Sequence, residues 1–260
     1  MNIFETTLLG IIQGLTEFLP VSSSGHLVLF QNLLGFKEPE LLLDCSLHLG
    51  TLLAVCVYFR NDLKKIVTEI WNGDLKNPHT SLALWIVVGS VPTAVIGLVF
   101  KAPLERLFGS VTTVGAMLIA TGIIVGLTRM IPEGYGTRTR VGLLAALAVG
   151  TAQGLAIIPG ISRSGTTIVC ALLLGLDRDL AGRFSFLLAI PAIVGALAIQ
   201  IDLDALERVG LLPLGFGFFS SAIVGLLALK LLMGIVRKGH LYYFAPYCWV
   251  IGLVVVFASL

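Results

Sequence analysis

Residues 159–167 read Pro-Gly-Ile-Ser-Arg-Ser-Gly-Thr-Thr, and they interrupt an otherwise apolar part of the chain. Arg163, within this stretch, is the only lysine or arginine between Arg140 and Arg178. A charged side chain inside an apolar segment is costly in a membrane and usually marks a function. The glycines and the proline leave backbone N–H groups outside a regular helix. Together with the hydroxyls and the forked guanidinium, these groups predict a phosphate-binding site.

The composition is that of a membrane protein. Of the 260 residues, 57% are hydrophobic and only 12% are charged, and the mean hydropathy is +0.98. Soluble domains carry about 25% charged residues. Because no water satisfies backbone groups in the hydrocarbon layer, the spanning segments should be helices. We therefore expect residues 1–260 to form one all-α polytopic membrane domain. The basic residues are scattered through the connecting loops, which excludes a nucleic-acid partner.

A second broken segment lies near the start of the chain. Residues 13–26 read QGLTEFLPVSSSGH, and the apolar pieces around the break are shorter than the roughly 20 residues that span a bilayer. Irregular backbone at membrane depth is tolerated only where protein or a watery cavity covers it. We predict a broken helix or re-entrant hairpin here, and another around residues 141–176.

The two broken segments are related by an offset of 140 residues. Residues 13–25 and 153–165 are identical at six of thirteen positions, where chance would give about one. Each break is followed by three segments that can span a membrane, so repeat one covers about 1–130 and repeat two about 140–260. Because three is an odd number, the second repeat should be inverted relative to the first. Inverted repeats with paired broken segments predict a binding site where the breaks meet.

The charges of the connecting loops favour this topology. The predicted spans are 41–59, 81–100, 111–128, 184–201, 213–236 and 242–260. Eleven lysines and arginines then lie on one face, in loops 60–80, 129–140, 177–183 and 237–241. The opposite face has three, in loops 101–110 and 202–212. The positive-inside rule makes the first face cytoplasmic, so the two hairpins enter from opposite faces and both termini lie outside.

The first hairpin carries the candidate catalytic groups. Gln13 and Glu17 are spaced i, i+4 and share a helix face. Glu17 can act as a general acid or base, or hold a divalent cation; a cap or a buried hydrogen-bonding group is the alternative. His26 can shuttle protons or form a phosphoryl intermediate, although a lone histidine is more often structural.

Three serines, Ser22, Ser23 and Ser24, precede this histidine. They can cap a helix that begins near Gly25. One of them can act as a nucleophile if His26 or Glu17 lies within hydrogen-bond reach. The residue types do not decide between His26 and Ser23 as the nucleophile or its activator.

The second hairpin carries the candidate anion-binding groups. Arg163 can clamp a phosphate, or it can form a buried structural ion pair with Glu17 or Asp44. A helix that opens at residue 166 would also present its N-terminus to an anion. The predicted substrate-binding set is Gln13, Ser22, Ser24, Gly160, Ser162, Ser164, Gly165 and Thr167. We interpret Asp44 and His48, near a span end, as structural, and Tyr247 as part of an interfacial aromatic belt.

Both motifs resemble those of one family, the BacA-type undecaprenyl-pyrophosphate phosphatases, also called bacitracin-resistance proteins. Residues 13–26 fit the family's [E/Q]-x-x-x-E run with its serines and histidine, and residues 159–167 fit its P-G-x-S-R-S-x-x-T. The resemblance covers nearly the whole chain and includes residues 184–191. This chain has Gln13 where some members have a second glutamate, which disfavours a mechanism with two carboxylates in that motif.

The resemblance implies a bacterial plasma-membrane enzyme with a site open to the outer face. Its substrate would be a polyprenyl pyrophosphate lipid: undecaprenyl pyrophosphate is hydrolysed to the monophosphate and phosphate. This reaction recycles the carrier lipid of peptidoglycan synthesis and confers bacitracin resistance. A divalent cation, Mg²⁺ or Ca²⁺, would assist, with Glu17 as a candidate ligand. Arg163 would clamp the pyrophosphate, while Glu17, His26 and Ser23 would supply the chemistry. Membrane lipids and a second copy of the chain are further candidate partners.

A membrane transporter or flippase for an anionic lipid is the alternative from another class. Inverted repeats with broken hairpins are common in secondary transporters. A histidine and serines beside a glutamate and an arginine exceed what a carrier requires, and they favour an enzyme. Phosphate release by purified protein in detergent separates the two classes, because transport needs compartments.

Overall fold

The structure is a computed structural model, and it describes residues 2–35, 41–73, 77–132, 134–200 and 210–259. Within these ranges the regular structure is helical, apart from an isolated parallel β-bridge between Arg138 and Leu176. The all-α prediction is therefore confirmed for the described residues. Lys76, Arg208 and most of the predicted loop 202–212 lie outside them.

Twelve α-helices occupy the described residues, and they divide between two halves of the chain. The first half holds α1 (Ile3–Phe18), α2 (Ser23–Leu33), α3 (Leu41–Tyr58), α4 (Arg60–Trp71), α5 (Pro78–Val99), α6 (Lys101–Phe108) and α7 (Val111–Gly126). The second half holds α8 (Leu143–Leu155), α9 (Arg163–Leu173), α10 (Arg178–Gln200), α11 (Leu211–Lys238) and α12 (Ala245–Ala258). Short 3₁₀ helices extend α7 over Leu127–Met130 and precede α12 over Leu241–Phe244.

Six of these helices account for the predicted membrane spans. Helices α5, α7, α10, α11 and α12, with the adjoining 3₁₀ turns, are each long and apolar enough to cross a bilayer. Helix α3 qualifies together with α4, which bends away from it by 72°. Helices α1, α2, α8 and α9 have only 11 to 16 residues, too few to span. Three spans thus follow each pair of short helices, whereas the inverted orientation of the two repeats stays a prediction.

Both predicted breaks are present, one between α1 and α2 and the other between α8 and α9. In the first break, the Cys248 thiol on α12 donates to the carbonyl of Pro20 at 3.5 Å. In the second, the Thr121 hydroxyl on α7 donates to the carbonyl of Gly160 at 2.8 Å and accepts from the N–H of Ser162 at 2.9 Å. Neighbouring spans therefore satisfy backbone groups that the breaks expose, as backbone at membrane depth requires.

The two halves of the chain pack against each other through the first helix of each hairpin. Helix α1 packs along α11, and α8 packs along α5, so the first helix of each hairpin lies on a span of the other half. Both helix pairs approach closely at glycines, because Gly10 meets the backbone of Gly217 and Gly150 meets the backbone of Gly89. Gly10 and Gly150 are separated by the 140-residue offset of the repeat. This packing brings the end of α1 into contact with the start of α9.

Two segments that the sequence predicts as loops contain helices. Helix α4 occupies residues 60–71 and α6 occupies residues 101–108. In α4, Leu63, Ile66 and Ile70 recur at the spacing of one helix face, and Ile66 is buried. The loop prediction was wrong because the surrounding charges obscured this apolar face.

Contacts join the loops that were predicted to share one face. Asp62 on α4 pairs with Arg183 near the start of α10 at 3.4 Å. Asp179 pairs with Arg237 at the end of α11 at 2.7 Å. The bridge at Arg138 links the segment after α7 to the approach to α10. These four segments therefore lie at one end of the helix bundle, as the loop charges predict.

The close approach of α8 and α5 gives the first testable prediction. A methyl group added at Gly150 would lie 1.9 Å from the carbonyl oxygen of Gly89, so the two backbones must separate. We expect Gly150→Ala to destabilise the protein by about 2 kcal/mol, which a thermal melt in detergent measures. The control is Gly215→Ala on α11, where an added methyl group meets nothing within 4 Å. Equal melting temperatures for the two variants would contradict this packing.

Candidate active site

The carboxylate of Glu17 is the centre around which the polar groups of both hairpins gather. Glu17 lies in the last turn of α1, and only 6% of the residue is exposed. One oxygen, Oε2, accepts hydrogen bonds from Gln13 Nε2 at 3.0 Å and from Ser23 Oγ at 2.5 Å. The other, Oε1, accepts from the guanidinium of Arg163. The imidazole of His48 lies 3.7 Å from Oε2.

The turn after α1 explains how Ser23 reaches this carboxylate. Helix α1 ends at Phe18, and Leu19 is extended before Pro20, as the residue before a proline prefers. Ser22 then caps α2, because its hydroxyl oxygen accepts from the N–H of Gly25 at 3.2 Å. The predicted cap is confirmed, and the helix begins at Ser23. This turn reverses the chain, so that Ser23 faces Glu17 six residues earlier.

The start of α9 places Arg163 opposite the same carboxylate. Ser162 caps this helix by accepting from the N–H of Gly165 at 3.1 Å. The helix therefore begins at Arg163 and not at residue 166 as predicted, because the serine cap supports three further helical residues. The Arg163 side chain is 21% exposed, whereas that of Glu17 is 4% exposed. An anion from solvent or lipid therefore meets the arginine first.

The N-termini of two helices add positive potential to the site. Ser23 is the first residue of α2 and Arg163 is the first residue of α9, and both contact Glu17. The free N–H groups in the first turn of a helix, with its macrodipole, favour a negative charge. The site therefore combines a guanidinium, two helix N-termini and one carboxylate, an arrangement suited to a phosphate group that must also exchange a proton.

Several residues of the predicted substrate-binding set are buried in the second hairpin. Ser162 and Ser164 are buried with their hydroxyls 3.2 Å apart. The Thr167 hydroxyl donates to the carbonyl of Arg163 at 2.8 Å and also contacts the Ser185 hydroxyl. Gly160 is held by Thr121. These groups already have partners in the protein, so in this structure they support the start of α9.

Residues of the predicted set in the first hairpin also have partners within the protein. Gln13 is fully buried behind Glu17 and orients it. The Ser24 hydroxyl lies 3.3 Å from that of Ser22. The imidazole of His26 has Nδ1 2.8 Å from the carbonyl oxygen of Ser22 and Nε2 2.8 Å from the hydroxyl oxygen of Tyr247. Both ring nitrogens of His26 are therefore engaged away from Glu17.

Three residues near the site differ from their sequence interpretation or were missed. His48, interpreted as structural, lies beside Glu17 with a side chain that is 29% exposed. Tyr247, interpreted as part of an aromatic belt, bonds to His26. Thr121, which was not singled out, holds the second break. The i, i+4 spacing of Asp44 and His48 was a sequence signal that His48 lies near the site. Nothing local distinguishes Thr121 from other hydroxyls in apolar spans.

The chain by itself offers few ligands for a divalent cation. No group of three or more His, Cys, Asp or Glu side chains that could hold a metal occurs among the described residues. Glu17 supplies one carboxylate, and its oxygens already accept bonds from Gln13, Ser23 and Arg163. Mg²⁺ in enzymes is often held by one or two carboxylates together with substrate phosphates. The residues therefore fit a cation that is shared with a bound phosphate group.

Together, the fold and the site define a multi-pass membrane protein whose two broken hairpins hold a carboxylate, a guanidinium and a serine hydroxyl in contact. The chain belongs to the BacA family, because the family model described as bacitracin resistance protein BacA matches residues 6–254.

Curated relatives extend over the full chain. A protein of Desulfatibacillum aliphaticivorans named undecaprenyl-diphosphatase is 48% identical over 277 residues, covering 100% of this chain and 99% of that protein. One of the same name from Desulfosudis oleivorans is 49% identical over 265 residues, covering 97% of each chain. Another, from Methanobrevibacter smithii, is 38% identical over 274 residues, covering 100% of this chain and 99% of that protein.

The pair formed by Glu17 and Arg163 should dominate the stability of the site. Arg163→Gln leaves the buried carboxylate of Glu17 without its guanidinium partner, so we expect a loss of about 3 kcal/mol in thermal melts. Adding Glu17→Gln to that variant removes the uncompensated charge and should recover most of the loss. The control, Arg140→Gln in an exposed segment, should change stability by less than about 0.5 kcal/mol. A double variant no more stable than Arg163→Gln would show that the pair is not the cause.

Proposed function

We propose that this protein hydrolyses undecaprenyl diphosphate to undecaprenyl phosphate and inorganic phosphate. The observation that carries the proposal is the contact of Arg163 and Ser23 with one buried carboxylate, Glu17. The undecaprenyl-diphosphatase names of relatives that match the whole chain support this substrate. In a cell wall that uses this carrier lipid, the activity recycles it, and competition with bacitracin for the lipid gives resistance.

Binding of the diphosphate depends on the arginine and the two helix N-termini. A guanidinium has five N–H donors, so Arg163 can bind phosphate oxygens with those that Glu17 does not use. Two parallel N–H···O bonds to one phosphate are the favoured geometry of such a pair. The prenyl tail can remain in the lipid, because the helices around the site are long and apolar enough to span a membrane. Stabilising charge on the transferred phosphoryl group is where most of the rate enhancement arises.

The first chemical step uses the hydrogen bond between Ser23 and Glu17. The Ser23 hydroxyl gives its proton to Oε2 of Glu17 as its oxygen bonds to the terminal phosphorus. The bond from that phosphorus to the bridging oxygen breaks, and undecaprenyl phosphate leaves. In the second step water attacks the phosphoserine, Glu17 returns the proton to the Ser23 oxygen, and inorganic phosphate leaves as H₂PO₄⁻. One carboxylate suffices for both proton transfers. This agrees with the presence of Gln13, and not a second glutamate, one helical turn before Glu17.

Ser23 is favoured over His26 as the nucleophile by their contacts. Ser23 Oγ already donates to a carboxylate that can accept its proton, which is the activation that a serine nucleophile requires. Both nitrogens of His26 are bonded to other groups, as described above. We assign His26 to the support of the turn that carries Ser23.

A divalent cation, Mg²⁺ or Ca²⁺, is part of the proposal. Glu17 would hold it together with phosphate oxygens of the substrate, and the ion would neutralise part of the phosphate charge. Loss of phosphate release in EDTA, with recovery on adding Mg²⁺, tests this assignment; full activity in EDTA would overturn it.

We place the protein in the plasma membrane with the site open to the outer face. The end of the bundle formed by the basic loops is cytoplasmic by the positive-inside rule. His48, partly exposed beside Glu17, lies near the middle of α3 and favours neither end, so the outer face rests on the resemblance to the family's motifs. A site that opens away from the basic loops reaches lipid headgroups of the outer leaflet.

Removal of the Ser23 hydroxyl tests the mechanism. We expect Ser23→Ala to lower kcat for phosphate release from undecaprenyl diphosphate by at least about a thousandfold, measured with purified protein in detergent. The control is Ser90→Ala on α5, whose hydroxyl donates to the carbonyl of Ile86 in its own helix at 2.7 Å. Its activity should equal that of the wild type.

Rapid acid quenching then identifies the nucleophile. A phosphoryl group from the labelled terminal phosphate should remain on Ser23, because phosphoserine survives acid. An acid-labile label that is lost with His26→Ala would instead assign the nucleophile to His26. No phosphate release from the wild type in detergent would overturn the enzymatic function and favour a carrier for the lipid.

A further inference from the structure

Tyr247 is joined to the first hairpin by contacts that the hydrolysis described above does not use. It lies on α12, and its ring stacks on the imidazole of His26 with centroids 5.8 Å apart and planes 9° apart. Its hydroxyl oxygen is 2.8 Å from His26 Nε2. His26 is only 4% exposed, whereas Tyr247 is 44% exposed. The tyrosine therefore covers the histidine on the side away from the core.

The hydrogen bonds define which nitrogen of His26 carries the proton. The carbonyl oxygen of Ser22, 2.8 Å from Nδ1, can only accept, so Nδ1 must donate. In a neutral imidazole Nε2 then has no hydrogen and accepts from the hydroxyl of Tyr247. The carbonyl of Ser22 thus fixes the tautomer of His26, and the hydroxyl of Tyr247 donates to the nitrogen that remains unprotonated.

That carbonyl belongs to a residue in an unusual conformation. Among the described residues, Ser22 is the only non-glycine residue with a positive φ, at φ 68° and ψ 96°. Serine rarely adopts this region, because its Cβ crowds the backbone. The second hairpin places its positive φ on Gly160, at 95°, and its capping serine, Ser162, has an ordinary φ of −77°. The first hairpin therefore needs outside support for its turn.

His26 supplies this support twice. Its backbone N–H donates to the Ser22 carbonyl at 3.2 Å, and its imidazole donates to the same oxygen at 2.8 Å. The residue that follows Ser22 is Ser23, whose hydroxyl lies on Glu17. The equivalent of His26 in the second hairpin, 140 residues later, is Thr166, whose buried hydroxyl has no partner in the described structure.

We propose that Tyr247 is a positioning residue for the hydrolysis assigned to this site, and the inference rests on that proposed function. The Tyr247 hydroxyl holds His26, and His26 holds the carbonyl of Ser22. The Ser22 turn in turn fixes the hydroxyl of Ser23 on Glu17. Tyr247 itself touches neither the carboxylate nor the arginine, so it acts on the rate of the chemical step and not on substrate binding.

The test is Tyr247→Phe, which keeps the stacked ring and removes only the hydroxyl. We expect kcat for phosphate release to fall by about fivefold, the effect of one lost hydrogen bond, with KM unchanged. The control is Tyr243→Phe, because Tyr243 is exposed and its ring lies 5.0 Å from that of His240, away from His26. The control should keep the wild-type kcat.

Two further measurements separate positioning from general structural damage. In a His26→Ala background, Tyr247→Phe should cause no further loss of kcat, because the tyrosine acts through the histidine. The ¹⁵N spectrum of the protein should show an unprotonated, hydrogen-bonded Nε2 for His26. This resonance should move to its unbonded position in Tyr247→Phe and stay in place in Tyr243→Phe.

Unchanged kcat and an unchanged Nε2 resonance in Tyr247→Phe would overturn the inference and leave the proposed function intact. An equal loss of kcat with and without His26 would also overturn it, because the tyrosine would then act by another route. A wild-type protein that releases no phosphate, while its Nε2 resonance still responds to Tyr247→Phe, would overturn the proposed function specifically.

Discussion

A carboxylate buried among membrane helices needs a cation, and the contact of Glu17 with Arg163 meets that need across 146 residues of sequence. Each residue lies at the end of a helix too short to span a bilayer, so each would be in an unfavourable place without the other. The pair joins the two hairpins, and its arginine remains partly exposed. The interaction that joins the two hairpins is therefore also part of the proposed diphosphate site.

The rest of the architecture positions this pair. Helices α1 and α8 each lie on a span of the opposite half, which brings the end of α1 to the start of α9. The spans α7 and α12 hold the two breaks through side-chain bonds to backbone carbonyls. The hairpins have similar sequences but different groups at the centre: the first carries Glu17, His26 and Ser23, and the second carries Arg163. The two hairpins therefore contribute complementary groups to the site.

The sequence predicts the parts of this site that depend on local chemistry. The breaks and the serine caps follow from helix-breaking residues, and the cost of an isolated charge in an apolar segment predicts a carboxylate partner for Arg163, either Glu17 or Asp44. The contacts of His48 and Tyr247 depend on how helices that are distant in sequence cross each other. These crossings cannot be predicted from a single sequence. Helix α4 was missed for a different reason, because its charges concealed an apolar face. The unusual backbone at Ser22 has no signature in residue type.

The most direct test of the account is the affinity for a non-hydrolysable methylene-bisphosphonate analogue of the lipid, measured in detergent without divalent cations. If the diphosphate shares Arg163 with Glu17, the two charge-neutralising variants must act in opposite directions. Glu17→Gln removes a competing anion and should tighten binding, whereas Arg163→Gln removes the clamp and should weaken it by at least about tenfold. Weaker binding in both variants, or no change in either, would contradict the claim that this ion pair is the diphosphate site.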